Sequence, residues 1–183
     1  VLFLPFFKTL GFLFLYILFG LLLDTPYAAS LFKHSQYLAL LALIIGFFII
    51  YFRVSKRARE QMIYAVLLGF VGEHLFSIGL GMYTYRLGNV PLYIPFGHAV
   101  VLVAVVYFCK DRITKLNYKL IEKGFTIFIL LYAFAFLVFA SDVFGFVMSI
   151  MVLFLLRNKP RERLFYLSMY IAVAFLEIIG TSY

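Results

Sequence analysis

Long apolar runs separated by short polar segments make up almost the whole chain. Each run approaches the ~20 residues with which an α-helix crosses a bilayer, whereas a membrane β-barrel would need alternating apolar and polar positions. The pattern therefore predicts an all-α fold, a polytopic transmembrane helical bundle of about seven spans. We expect residues 1–183 to form a single integral membrane domain, with helices over Thr9–Leu23, Leu31–Phe52, Met62–Tyr83, Pro95–Cys109, Phe125–Ala140, Val143–Leu156 and Leu164–Ile179.

Composition strengthens this prediction. Hydrophobic residues make up 66% of the chain and charged residues 13%, against about 45–50% and about 25% in soluble domains. An ordinary soluble enzyme and a disordered chain are therefore excluded, and the single cysteine, Cys109, excludes a disulfide scaffold. The first apolar run lacks a small-residue cleavage site at its end, so we expect it to be a retained span rather than a signal peptide.

The chain has a net charge of +8, and thirteen of its sixteen lysine and arginine residues fall in three segments between apolar runs. These segments follow the second, fourth and sixth predicted helices, so all three lie on one side of the membrane. The positive-inside rule makes that side cytoplasmic and places the N-terminus there, as in a bacterial or archaeal cytoplasmic membrane. The orientation of the chain in the membrane explains these basic residues, so no nucleic acid is expected as a partner. The basic residues of the three segments are Arg53, Lys56, Arg57, Arg59, Lys110, Arg112, Lys115, Lys119, Lys123, Arg157, Lys159, Arg161 and Arg163.

Carboxylates at membrane depth are the first candidates for chemistry, because the sequence contains none of the familiar catalytic strings. Glu73 lies eleven residues after Met62, which places it ~16 Å along the helix, near the middle of the bilayer. Small residues spaced four apart share its face and predict close approach of another helix; they are Gly69, Ser77 and Gly81. Burial favours a neutral carboxylic acid that can act as a general acid, although a Glu that only joins helices would show the same pattern.

Further polar residues extend this candidate site. His74, His98 and Glu177 are predicted to support catalysis, Glu177 as the second carboxylate of an acid–base pair or as a simple interhelical contact. The connection from Tyr83 to His98 contains Pro91 and Pro95, which restrict its backbone. Substrate-binding candidates on it are Tyr83, Tyr85, Arg86 and Asn89. Tyrosines and arginine at this level also suit an interfacial belt that only anchors the helices.

The same stretch resembles a known family. The order Gly72-Glu73, then Gly81-Met-Tyr-Thr-Tyr85, then Gly88-Asn-Val-Pro-Leu-Tyr-Ile-Pro95 is similar to the membrane-embedded carotenoid hydratases over about thirty residues. The resemblance implies that Glu73 protonates an isoprenoid double bond while the tyrosine rings stabilise the carbocation. We therefore expect an enzyme that acts on an apolar or isoprenoid lipid in the outer half of the bilayer.

Two other functions fit the same residues. A proton-coupled transporter could use Glu73 and Glu177 as proton carriers, and a non-catalytic subunit of a larger membrane complex would need protein partners in the membrane. His34, His74 and His98 could hold a metal or haem, but their spacing matches no metal signature, so no metal and no cofactor are predicted. Membrane lipids are the expected partners in every case.

Overall fold

A computed structural model describes residues 17, 19–32, 34–85 and 87–182, and only the backbone at 161, 177 and 179–182. The described chain is all-α apart from two strands of two residues each. Residues 19–23 are helical. The remaining helices are α1 (Pro26–Leu31), α2 (Ser35–Arg53), α3 (Lys56–Glu73), α4 (Ile94–Lys110), α5 (Arg112–Leu116), α6 (Tyr118–Ala140), α7 (Val143–Leu155) and α8 (Pro160–Gly180), with a π-helical turn at His74–Gly79 and a 3₁₀ turn at Leu156–Asn158.

Three of these helices are long and apolar enough to cross a membrane. They are Ser35–Arg53, the continuous helix Lys56–Gly79 and Tyr118–Ala140, while Ile94–Lys110 and Val143–Asn158 are shorter apolar helices. The helical character predicted for the chain is therefore confirmed. Most of the predicted first span, Thr9–Leu23, lies outside the described residues.

Several helices begin earlier than their apolar runs. The predicted helix at Met62 begins at Lys56, because Ser55 caps it by accepting a hydrogen bond from the Ala58 amide at 3.4 Å. Arg59 then closes the turn by donating to the carbonyl oxygens of Phe52 and Val54 at 3.1 and 3.2 Å. Lysine, arginine and glutamate are good helix formers, so the basic segments lengthen the helices instead of forming loops.

The chain divides into two compact units, Val1–Ala104 with Phe175–Tyr183, and Val105–Ala174. In the first unit, Phe47 of α2, Met62 of α3 and Val100 of α4 form one buried apolar cluster. In the second, Ile129 of α6 and Leu167 of α8 are fully buried. Each unit therefore has its own apolar core.

The chain reverses direction after α3 within the first unit. The π-helical turn His74–Gly79 ends the helix, and Gly81 follows with a positive φ of 60°. Strand β1 (Thr84–Tyr85) then pairs antiparallel with β2 (Thr181–Ser182). The prediction of a regular helix to Tyr83, with Gly81 on the Glu73 face, is wrong because the reversal begins at the π turn. The reversal brings Tyr83 and Tyr85, which follow Gly81, back towards Glu73.

Candidate functional site

The Glu73 carboxylate, in the last turn of α3, is the centre of a compact polar cluster. It is buried, with 8% of its surface exposed. The Tyr83 hydroxyl donates to its Oε2 at 2.7 Å, the Tyr85 hydroxyl donates to the same oxygen, and His98 Nε2 lies 2.7 Å from Oε1. We call these four residues the Glu73 cluster.

The chain reversal holds the two tyrosines in place. The Ser77 hydroxyl, in the π-helical turn, donates to the Tyr83 carbonyl at 3.2 Å. Pairing of β1 with β2 holds the backbone at Tyr85, and the two tyrosine rings meet edge to face at 5.7 Å between centroids. Short π-helical segments often occur at functional sites, because the extra residue redirects the side chains that follow.

His98 reaches Glu73 because α4 packs closely against α3 at Gly69. A Cβ atom built on Gly69 would lie 2.9 Å from His98 Cδ2 and 3.3 Å from the Pro95 Cα. No larger residue fits there without a shift of the histidine or of the α4 backbone. The close helix approach predicted for the small-residue face therefore occurs at Gly69.

The hydrogen bonds of the cluster stabilise a charged carboxylate, whereas burial by itself favours a neutral acid. Both tyrosines donate to Oε2, and a neutral acid would leave Oε1 to share one proton with His98. Glu73 and His98 thus form a pair that can hold and release a proton, and an ion pair when the imidazole is protonated. The contact places His98, predicted to support catalysis, directly against the Glu73 carboxylate.

Tyr85 serves this pair as a hydrogen-bond donor. Burial raises the pKa of Tyr85, and its hydrogen bond to Glu73 raises the pKa further. The hydroxyl therefore stays protonated at every physiological pH and cannot be the base of the cluster.

His98 is the more exposed member of the Glu73–His98 pair, with 26% of its side chain exposed against 9% for Glu73. A reactant would therefore approach from the imidazole side.

The structure brings together Glu73, Tyr83, Tyr85 and His98 and sets two other candidates apart. His74 Nδ1 lies 2.8 Å from the Phe70 carbonyl oxygen, and its ring packs on the Phe70 ring, both within its own helix. Asn89 is exposed and exchanges two hydrogen bonds with Gln36, at 2.9 and 3.0 Å. Two further candidates, Arg86 and the side chain of Glu177, lie outside the described residues.

The three histidines contact different residues. His34 contacts the ring of Tyr37, whereas His74 bonds within its helix and His98 bonds to Glu73. Within the part of the chain that the structure describes, no three His, Cys, Asp or Glu side chains are grouped closely enough to hold a metal ion.

Sequence reasoning missed a second buried carboxylate in the first unit. Asp24 is 2% exposed; its Oδ1 accepts from Gln36 Nε2 at 2.6 Å and its Oδ2 accepts from the Tyr93 hydroxyl at 2.7 Å. Through Gln36 the network continues to Asn89. It joins the residues before α1 to α2 and to the segment that leads into α4, so it fixes the segment that positions His98. The feature of the sequence that could have indicated this network is an aspartate, Asp24, directly after an apolar run.

Replacing Tyr93 by Phe removes one donor from the Asp24 carboxylate. We expect this change to lower the free energy of unfolding by about 1.5–3 kcal/mol, the range for a hydrogen bond to a charged group. Thermal unfolding in detergent micelles measures it, with Tyr64→Phe at an exposed position of α3 as the matched control. Equal stability of the two variants would contradict the structural role given to Asp24.

Comparison of the chain with protein-family models, curated proteins and solved structures finds no match.

Proposed function

We propose that the protein is a membrane-embedded enzyme that adds water to a double bond of an apolar, isoprenoid lipid by acid–base chemistry. The observation that carries this proposal is the Glu73 cluster, in which one buried carboxylate contacts two tyrosine hydroxyls and an imidazole. Groups with this geometry can give a proton to a substrate that has no polar group of its own. The local resemblance to carotenoid hydratases supports the same substrate class.

In the proposed reaction the shared proton of Glu73 and His98 moves to one carbon of the double bond. The π electron pair forms the new C–H bond and leaves a carbocation on the neighbouring carbon. The Glu73 carboxylate stabilises that charge, together with the ring faces of Tyr83 and Tyr85. A water molecule then adds to the cation and returns a proton to the Glu73–His98 pair, so the net change is the addition of one water.

The membrane arrangement is part of the proposal. Seven spans with a cytoplasmic N-terminus would place the three basic segments in the cytoplasm, and the Glu73 cluster would then lie in the outer half of a bacterial or archaeal cytoplasmic membrane. The three long apolar helices support insertion into a membrane. Reporter enzymes fused after Ser55 and after Ser141 should report opposite sides of the membrane; the same side for both would contradict it.

Turnover in heavy water tests the reaction itself. Acyclic polyenes are incubated with the protein in vesicles prepared in D2O, and the extracted lipids are examined by mass spectrometry. We expect a product that has gained one water and carries one carbon-bound deuterium. An absorption spectrum of the gently solubilised protein, with mass spectrometry of its bound lipids, should show polyene bands or an enriched isoprenoid. No product from any polyene, together with bulk phospholipid alone, would contradict the proposal.

Proton-coupled transport is the second candidate function, and the Glu73–His98 contact is the observation that favours it. A carboxylate and an imidazole 2.7 Å apart can exchange one proton between two states of the protein. Liposomes distinguish the two functions, because a transporter would move a solute in response to a pH gradient without changing it chemically.

A further inference from the structure

An open pocket lies in the second unit, where the start of α6 meets the start of α8. Its volume is about 490 Å³, within the range of pockets that bind small ligands. The Tyr118 hydroxyl donates to the Pro160 carbonyl at its edge, and Arg163 pairs with Glu122 at 3.0 Å. These two contacts fasten the helix starts together, so the pocket belongs to packed structure rather than to a loop.

The pocket carries a net positive charge. Three cations line it, Lys119, Lys123 and Arg163, against the single carboxylate of Glu122. Glu122 is already paired with Arg163, whose Nη2 also lies 3.4 Å from the Thr126 hydroxyl. Both lysines are exposed, so their ammonium groups are available to an anion.

The pocket also lies where a polar surface meets an apolar one. Three of its four charged residues, Lys119, Glu122 and Lys123, occupy the first two turns of α6, a candidate membrane span whose residues from Phe125 onward carry no charge. On the same helix Leu120 is 72% exposed and Ile127 47% exposed. A ligand held here would have its charged group at the level of lipid headgroups and apolar surface beside it.

We propose that this pocket binds the phosphodiester headgroup of an anionic phospholipid, with the acyl chains against the exposed apolar side chains of α6. Lys119 and Lys123 contact the phosphate as point charges, and Arg163, whose side chain is 23% exposed, adds its positive charge to the pocket. The site is separate from the Glu73 cluster and does not depend on the function proposed for it.

Lipid binding to the full chain in neutral detergent micelles tests the proposal, because a micelle has no charged surface that could attract lipid non-specifically. Phosphatidylglycerol and phosphatidylcholine are titrated separately, and bound lipids are counted by native mass spectrometry. We expect one tight phosphatidylglycerol site, weakened about tenfold by the double substitution Lys119→Gln and Lys123→Gln. The matched control, Lys56→Gln with Arg57→Gln, removes two exposed charges from the start of α3 and should leave binding within about twofold.

The double variant keeps Arg163 and Glu122, so its fold is expected to survive, and circular dichroism checks this. Equal weakening by both double variants would overturn the proposal in favour of diffuse charge attraction. Equal binding of the two lipids would overturn it as well. Displacement of the lipid by millimolar inorganic phosphate, with no contribution from the acyl chains, would show that the site takes free phosphate and would overturn the assignment to a lipid.

Discussion

Replacing Glu73 by Gln should lower turnover of an isoprenoid substrate by about a thousandfold or more, while the protein remains folded. Acid–base groups contribute about 10²–10⁴ to rates, and here the same carboxylate also stabilises the cation. Glutamine keeps the shape of the side chain and one oxygen that accepts from Tyr83 and Tyr85, but its amide can neither carry the proton nor supply the negative charge. Product formation in D2O with a polyene substrate measures the loss.

The matched control is Glu60→Gln, which makes the same chemical change at an exposed position of the same helix. It should leave turnover unchanged. Full activity of Glu73→Gln would rule out the proposed reaction. A silent Glu73→Gln in a protein that purifies with stoichiometric partners would instead favour a non-catalytic subunit of a membrane complex, and loss of proton-driven flux would favour transport.

Helix content and the inward position of Glu73 followed from the sequence, because apolar runs and a four-residue spacing of small residues are local patterns. The first and last residues of the helices could not be predicted from the sequence in this way. Apolar length marks the part of a helix that suits a lipid environment, whereas the backbone continues through residues that favour helix and ends at a cap. Lys56 at the start of α3 and Pro160 at the start of α8 both lie outside their apolar runs for this reason.

The candidate site was predictable in part for a similar reason. Tyr83 and Tyr85 were placed in the site because they follow Glu73 closely in sequence, but the chain reversal that brings their hydroxyls to the carboxylate was not predicted. The bond between Asp24 and Tyr93 joins residues 69 positions apart, and no local pattern indicates such a pairing. The π-helical turn was also invisible, since its residues have the composition of an ordinary apolar helix. His74 was predicted to support catalysis, but its side chain contacts the Phe70 carbonyl within its own helix.

Replacing Gly69 by Ala should separate α3 from α4 and disable the Glu73 cluster. The added Cβ would meet His98 Cδ2 at 2.9 Å and the Pro95 Cα at 3.3 Å, so the imidazole or the α4 backbone must move. We expect a loss of about 1–3 kcal/mol in the free energy of unfolding, as for overpacked sites. A misplacement of about 1 Å can also cost about a hundredfold in turnover. Thermal unfolding in micelles and the D2O assay measure the two effects.

Gly72→Ala is the control for this prediction, because the two glycines lie three positions apart on the same helix and a Cβ at Gly72 meets nothing within 4 Å. Alanine stabilises a helix by up to about 1 kcal/mol relative to glycine, so Gly72→Ala should be neutral or slightly stabilising and fully active. The same intrinsic gain applies at Gly69, and the difference between the variants therefore isolates the clash with α4. Equal stability and equal turnover of the two would mean that the close approach at Gly69 does not position His98, and the shared-proton mechanism would lose its structural basis.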